Sequence, residues 1–134
     1  MEKINWNESF AIGVDAVDEQ HKYFVSLLNE LRQQVNQRDD NPAELQRIIG
    51  EFKDYTVYHF NTEEQLMRDC EYPYLMEHQQ EHSGFRQHVL ALHARAERGE
   101  FPLLKVIATY MTNWLLEHIQ VSDARIAEYV NRSE

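Results

Sequence analysis

Histidine and carboxylate side chains recur in this sequence at a spacing that would bring them together on helices. His59 and Glu63 are four residues apart, and so are His78 and His82. On an α-helix that spacing places both members of a pair on one face, one turn apart. Both pairs continue rows of apolar residues, so ligand-type groups occupy core positions. A buried imidazole or carboxylate without a partner costs several kcal/mol, and a bound metal ion would supply the missing partner.

Two further candidates come from the C-terminal part of the chain. His118 follows Trp114 by four residues and therefore lies on a core face. Asp123 follows His118 by five residues, which on a straight α-helix places the two side chains about 140° apart. Both can face one site only if the helix bends, restarts or contains a π-bulge. We therefore expect an irregularity at residues 119–122.

His21 is a weaker candidate because it lies at the edge of an apolar stripe. It precedes Phe24 by three residues, near the predicted start of the first helix. A histidine at that position is either a metal ligand or an ordinary capping or solvated side chain, and the spacing leaves both interpretations open.

The surrounding pattern predicts an all-α protein. Asp18 is the expected N-cap of the first helix, Asn41-Pro42 starts the second, and Pro73 separates the second from the third. The predicted helices cover residues about 19–37, 42–69, 75–98 and 102–131, after an extended N-terminal arm over residues 1–17. Four helices with short connections favour an antiparallel up-down-up-down four-helix bundle forming one domain over residues 1–134. In that topology all the candidate ligands fall at the same end.

Composition excludes several classes of function. The net charge of −10, with the 13 Lys and Arg residues scattered, argues against a nucleic-acid partner. The start of the chain lacks the pattern of a signal peptide, and no run of 18 apolar residues occurs, so we expect a cytoplasmic protein without membrane insertion. The single Cys70 excludes an internal disulfide. No long exposed apolar stripe is apparent, which favours a monomer.

Five histidines and two carboxylates are too many ligands for one ordinary ion. They suit two metals if both carboxylates bridge. With one solvent-derived oxygen between the metals, a metal with three histidines has six ligands and a metal with two histidines has five, which leaves one position open. Nitrogen and oxygen donors in such a site favour iron or manganese over structural zinc, and composition does not separate iron from manganese.

These residues together resemble the hemerythrin family, and the resemblance covers essentially the whole chain. Its motifs are Trp6, Asp18-Glu19-Gln20-His21, His59-Phe60 with Glu63, Tyr72-Pro73, His78 and His82 followed by Phe85, and Trp114-Leu115 before His118 and Asp123. The resemblance implies reversible dioxygen binding, for transport, storage or delivery, and not an enzymatic activity. An oxygen-consuming protein would be a candidate partner.

The resemblance also implies a role for each ligand. His78, His82 and His118 would hold one iron and His21 and His59 the other, with Glu63, Asp123 and an oxo or hydroxo group bridging the two. Dioxygen would bind at the iron with two histidines. The family places Trp114, Leu115 and Ile119 around the oxygen pocket.

Other functions remain open for the same site. A di-iron centre could serve an oxygen or redox sensor, or an enzyme that reduces peroxide or nitric oxide or oxidises ferrous iron, and the bundle could also be an iron reservoir. Outside the seven ligands, we expect Glu64, Glu77 and Glu81 to be solvated or to support the ligands. His88 and His93 lie too far along the third helix to belong to the site.

Overall fold

The computed structural model describes residues 1–37 and 41–133 of the chain. Its N-terminal segment contains a short 3₁₀ helix, Glu8–Phe10, and packs Phe10 and Ile12 into the protein. Helix α1 covers Asp15–Val35. The expectation that Asp18 caps this helix is wrong, because the helix begins four residues earlier than predicted, with Val14 at the N-cap position. The Asp18 carboxylate instead accepts hydrogen bonds from the backbone amides of Ile12 and Gly13, at 2.7 and 3.2 Å, and so fixes the loop that leads into α1.

Helices α2 and α3 begin and end at residues whose chemistry explains the boundary. Helix α2 covers Pro42–Asp69, and the Asn41 side chain accepts a hydrogen bond from the Glu44 amide, as its N-cap position predicts. Helix α3 covers Leu75–Glu97, beyond the turn that contains Pro73. Gly99, with φ of +74°, follows α3 in the left-handed conformation that glycine adopts without strain.

The fourth helix of the bundle consists of three consecutive segments. Helix α4 covers Leu104–Glu117, a π-helical turn covers His118–Asp123, and helix α5 covers Ala124–Ser133. The π-helical turn occupies the segment in which the spacing of His118 and Asp123 required an irregularity. A π-helix holds more residues per turn than an α-helix, so it can return a residue five positions later to the same face.

The helices form a four-helix bundle, which confirms the predicted all-α fold class. Helix α1 packs against α2 and α4, and α2 packs against α3. The main core lies along the bundle axis and is built from aliphatic and phenylalanine side chains of all four helices, among them Leu28, Ile48, Phe85 and Met111. This core leaves one end of the bundle for the polar cluster described below.

One face of the fourth helix exposes more apolar surface than the sequence pattern suggested. Leu103, just before α4, and Val106 and Tyr110 within it are exposed, and so is Leu90 on α3. Among the described residues, no helix combines the length and the apolar character needed to cross a membrane.

Candidate metal centre

The seven candidate ligands lie together at one end of the bundle. Helix α1 contributes one of them near its start, α2 two near its end, α3 two near its start and the π-helical turn two. Each is at most 4% exposed: His21, His59, Glu63, His78, His82, His118 and Asp123. The antiparallel topology explains why the ligands lie together. Each end of such a bundle contains the starts of two helices and the ends of the other two.

The larger ligand group contains three histidines and both carboxylates. The Nε2 atoms of His82 and His118 are 3.0 Å apart, and His82 Nε2 lies 3.1 Å from Glu63 Oε1. His78 Nε2 and His118 Nε2 each lie 3.1 Å from Asp123 Oδ1. Adjacent ligands on an ion with bonds of about 2.1 Å are separated by roughly 3 Å, so these spacings fit a shared ion.

The smaller ligand group contains two histidines and the same two carboxylates. His21 Nε2 lies 2.9 Å from Asp123 Oδ2 and 3.9 Å from Glu63 Oε2. His59 Nε2 lies 3.3 Å from Glu63 Oε1. In each of the two groups, all the ligand atoms lie within 4.8 Å of one another, and Glu63 and Asp123 belong to both groups. The arrangement therefore has the form of two adjacent ion positions that share two carboxylates.

Unpaired polar atoms in this cluster provide a test of whether it is built for metal. Within the described part of the chain, several buried atoms lie close to one another but make no hydrogen bond of acceptable geometry, and they belong to candidate ligands: both ring nitrogens of His21, Oε2 of Glu63, Nε2 of His78, Nδ1 of His82 and both carboxylate oxygens of Asp123. Leaving so many buried polar atoms unpaired would be costly in a protein that never binds an ion. The donor set fits a pair of metal ions.

Two side chains outside the cluster, the buried Gln20 and the exposed Glu81, orient ligand imidazoles. The Oε1 atom of Gln20 lies 2.6 Å from Nδ1 of His59, and the Nε2 atom of Gln20 donates to the Thr62 hydroxyl at 3.2 Å. Glu81 lies 3.1 Å from Nδ1 of His118 and accepts a hydrogen bond of 2.7 Å from the Ser122 hydroxyl. An acceptor at Nδ1 keeps the proton on that nitrogen and leaves Nε2 free to bind metal.

The sequence indicates a supporting role for Glu81 but not for Gln20. The sequence predicts that Glu81 is solvated or supports the ligands, and in the structure it does both, because its side chain is exposed and contacts His118. Gln20 was not singled out, because a glutamine one residue before His21 carries no pattern of its own. The feature of the sequence that could have indicated its role is its core-facing position directly before His21, a candidate ligand. Of the remaining acidic candidates, Glu64 is nearly buried and approaches Nδ1 of His82 at 3.6 Å, whereas Glu77 is exposed.

His88 and His93 lie outside both ligand groups. His93 pairs with Glu97 at 3.3 Å, and the His88 ring packs on Tyr110 with ring centroids 4.0 Å apart. Both contacts agree with the expectation that these histidines have no part in the site.

The electrostatics of the cluster couple its carboxylates to its imidazoles. Burial opposes ionisation of Glu63, but His59 and the other surrounding imidazoles outweigh it and hold the pKa of Glu63 well below its usual range. Burial lowers the pKa of His78, yet the adjacent carboxylates of Asp123 and Glu63 outweigh burial and raise that pKa to about 9. The hydrogen bond with His118 lowers the pKa of Glu81 to about 2. A metal ion must replace any protons held by the ligand imidazoles, so metal binding and proton release are linked.

Aromatic and aliphatic side chains enclose the cluster. Phe60 stacks on the His82 ring with centroids 3.7 Å apart, and Trp114 stacks on the His118 ring at 4.6 Å. Leu115 and Ile119 are both 1% exposed, whereas Trp114 is half-buried. The surroundings of the cluster are therefore largely apolar, which keeps water away from any bound ion.

All four helices of the bundle contribute ligands to two histidine groups that share two carboxylates. This arrangement is that of a helical, cation-binding class of protein. The chain matches the family model described as the hemerythrin HHE cation binding domain over residues 12–130. The chain therefore belongs to the hemerythrin family, as its motifs predicted.

Individual relatives agree with this assignment. The chain is 33% identical over 125 residues to a bacteriohemerythrin of Stenotrophomonas maltophilia, covering 93% of this chain and 80% of that protein. It is 30% identical over 133 residues to a bacteriohemerythrin of Pseudomonas aeruginosa, covering 99% and 85% of the two chains. The crystal structure of a wild-type hemerythrin superimposes with a TM-score of 0.86 at 24% identity, covering 95% of this chain and 97% of that one, which shows the shared fold.

Proposed function

We propose that this protein binds dioxygen reversibly at a non-haem di-iron centre. The observation that carries the proposal is the unequal pair of ligand groups, one with three histidines and one with two, sharing Glu63 and Asp123. The bacteriohemerythrin relatives support it by their name. Seven nitrogen and oxygen donors exceed the four that close a structural zinc site and suit two ions of higher coordination number, such as iron.

The ligands divide between the two irons according to these groups. His78, His82 and His118 would hold one iron and His21 and His59 the other. Glu63 and Asp123 would bridge the irons together with an oxo or hydroxo group. The smaller group offers one histidine fewer than the larger group, so a small exogenous molecule would enter at the iron that His21 and His59 would hold. A ferrous pair supplies the two electrons that dioxygen takes up on binding and returns on release.

The side chains around the ligands support reversible binding in two ways. Gln20 and Glu81 hold the imidazoles of His59 and His118 in one tautomer and one orientation. Leu115 and Ile119, together with the Trp114 ring, form an apolar wall beside His118. Excluding water slows irreversible oxidation of the site, which favours release of the bound gas unchanged over its further reduction.

The proposal is tested by metal analysis and absorption spectroscopy under controlled oxygen. The protein is reduced anaerobically and its iron content measured. Spectra are then recorded on admitting oxygen and again after purging with inert gas. We expect two irons per chain and a charge-transfer band that forms with oxygen and disappears on its removal. A band that never forms, or that forms once and decays to a stable oxidised state, would refute carriage and would direct attention to turnover of peroxide or nitric oxide.

A further inference from the structure

The ion positions of the candidate centre are shielded from solvent by the ligands themselves. Each of the seven ligands is at most 4% exposed, so a reducing agent at the surface meets side chains, such as the His118 imidazole, before it meets the irons. A carrier that oxidises irreversibly becomes inactive unless electrons can be returned to it. Restoring it therefore requires a path for electrons through the protein.

One ligand is joined to the surface by a stack of nearly parallel rings. Trp114 stacks on His118 with ring centroids 4.6 Å apart and an angle of 15° between the ring planes, and it is half-buried. Phe85 stacks on Trp114 at 4.1 Å and 16°. Tyr110, which is 37% exposed, stacks on Phe85 at 6.3 Å and 15°. The two closer pairs, at 4.6 and 4.1 Å, bring π faces into contact, which favours transfer of an electron between them.

The aromatic residues on the opposite side of the centre lack this overlap. Phe24 meets His59 at an angle of 84° between ring planes, and Tyr55 meets Phe24 at 80°. These edge-on contacts are favourable for packing but bring little π surface face to face. Phe60 stacks in parallel on His82 but is fully buried, so it offers a donor in solution no surface of its own.

A surface cavity lies beside the Trp114 stack. Its volume is about 160 Å³, and its wall consists of Glu81, Trp114, Glu117, His118 and Ser122. Its wall therefore carries two carboxylates and lacks lysine and arginine, so it attracts cations and repels anions. Glu81 contacts His118 and accepts a hydrogen bond from Ser122, and Glu117 is exposed.

We propose that Trp114 is the entry point for electrons, at which a small cationic one-electron donor reduces the oxidised iron pair. This inference rests on the proposed di-iron centre. Two donor molecules react in turn, each losing one electron, and the iron pair gains two. The electron passes from the donor through the indole of Trp114 and the imidazole of His118. No bond forms or breaks in this step, and both side chains end in the state in which they began. Trp114 thus acts as a positioning and conducting residue, and reduction restores the ferrous state.

The first test measures the rate of reduction. Oxidised, iron-loaded protein is mixed with reduced methyl viologen, a cationic one-electron donor, in an anaerobic stopped-flow instrument. We expect Trp114→Leu to slow reduction by about tenfold or more, equivalent to about 1.4 kcal/mol in the barrier, and Trp114→Phe to slow it less because a ring remains. Tyr55→Leu is the matched control and should leave the rate unchanged. Equal rates for Trp114→Leu and the parent protein, at equal iron content, would overturn the proposal.

A second test uses the native residue and needs no oxygen binding. The chain has two tryptophans, Trp6 and Trp114, so Trp6→Phe leaves Trp114 as the only indole fluorophore and Trp114→Phe leaves Trp6. Each variant is loaded with ferric iron or with redox-inert zinc. We expect iron to quench Trp114 far more than zinc does, because the indole stacks on a ligand imidazole, and Trp6, whose ring contacts Phe10, serves as the comparison. Equal quenching of Trp114 by the two metals would contradict electronic contact with the centre.

The two proposals fail in different ways. If the parent protein does not bind oxygen reversibly but Trp114→Leu still slows its reduction, the oxygen-carrier function is wrong and the electron path stands. If oxygen binds reversibly and the reduction rate is insensitive to Trp114, the carrier function stands and the electron path is wrong. Failure of the parent protein to bind two irons would overturn both.

Discussion

Asp123 follows His118 by five residues, yet its Oδ1 atom lies 3.1 Å from Nε2 of His118. A regular α-helix would direct the two side chains about 140° apart, so the π-helical turn His118–Asp123 is what makes both available to one site. The same turn places the Ser122 hydroxyl against Glu81, which in turn accepts from His118. A local change of helix type thus positions a ligand and the hydrogen bonds that orient its neighbour.

Replacement of Glu63 by alanine should reduce metal binding at both ion positions. Its carboxylate lies within 3.1 to 3.5 Å of three different imidazoles and belongs to both ligand groups. We expect Glu63→Ala to retain fewer than two irons per chain after desalting, measured by metal analysis. Glu77→Ala, which removes an exposed carboxylate on α3, is the control and should retain two. A Glu63→Ala protein with two irons and normal oxygen binding would refute its assignment as a bridge.

Removal of the Glu81 carboxylate should weaken the metal site without removing a ligand. Loss of a partner that orients a ligating histidine typically costs about 10- to 100-fold in metal affinity, and we expect that range for Glu81→Ala. Glu81→Gln keeps an oxygen that can accept from His118 Nδ1 and should recover most of the loss. Affinity is measured by competition with a chelator of known strength. Equal losses of metal affinity in Glu81→Gln and Glu81→Ala would show that the hydrogen bond to His118 does not account for the effect of Glu81.

Gln20→Leu tests the contact between Gln20 and His59, a histidine of the smaller ligand group. The substitution leaves the Nδ1–H group of buried His59 without its acceptor, which costs about 1–3 kcal/mol. The expected result is a lower free energy of unfolding for the metal-free protein, measured by urea denaturation, together with weaker retention of one of the two irons. Gln33→Leu, at an exposed position on the same helix, serves as the control. Unchanged stability and metal retention in Gln20→Leu would show that the hydrogen bond is dispensable.

Metal removal should destabilise the whole bundle because the ligands come from every helix. An ion that binds only the folded state stabilises it by about 2.7 kcal/mol when its free concentration is about 100 times its Kd. For a chain of this size, that corresponds to a rise in Tm of roughly 4 °C per kcal/mol. Thermal unfolding of chelator-treated protein, followed by circular dichroism at increasing metal concentration, measures the effect. A Tm that does not depend on metal would contradict binding to the folded state at this cluster.

Enlarging Leu115 should alter the chemistry of the site while leaving its metal content intact. The side chain is 1% exposed and lies three residues before His118 on the core face of α4. We expect Leu115→Tyr to retain two irons but to change the rate of oxygen release or of irreversible oxidation, because it changes the space and polarity beside the open position. Met111→Leu, one turn earlier in the core, is the comparison. Unchanged oxygen kinetics in Leu115→Tyr would remove this residue from the pocket.

The sequence predicted those parts of the structure in which a residue's type has one dominant consequence. Pro42 and Pro73 lie at helix boundaries because proline cannot continue a helix interior, and the four-residue spacing of His59 and Glu63 has few interpretations other than a shared helix face. The five-residue spacing of His118 and Asp123 was informative because it conflicts with a regular helix. These residues were sufficient to predict the bundle and the end at which polar groups meet.

Other features depend on tertiary contacts that no local pattern contains. Aspartate is a common N-cap residue, but the carboxylate of Asp18 accepts hydrogen bonds from amides that precede α1. The helix itself begins before Asp18. The partner of Gln20 is 39 residues away, so nothing near it in the sequence indicates its role. The parallel stacking of Trp114 on His118 depends on side-chain rotamers as well as on their four-residue spacing. Sequence reasoning identifies candidate ligands more readily than the groups that orient them.

The sharing of carboxylates between distant helices also has a consequence for folding kinetics. The smaller ligand group joins His21 to Asp123, which lie 102 positions apart (123 − 21). Such a group cannot assemble until nearly the whole chain has reached its final topology, because the entropy of closing so long a loop must be offset first by the core. An ion that requires both His21 and Asp123 is therefore bound late in folding. Retention of two ions would then report that synthesis and folding of the chain are complete, and a fragment lacking either terminal helix would lose the pair.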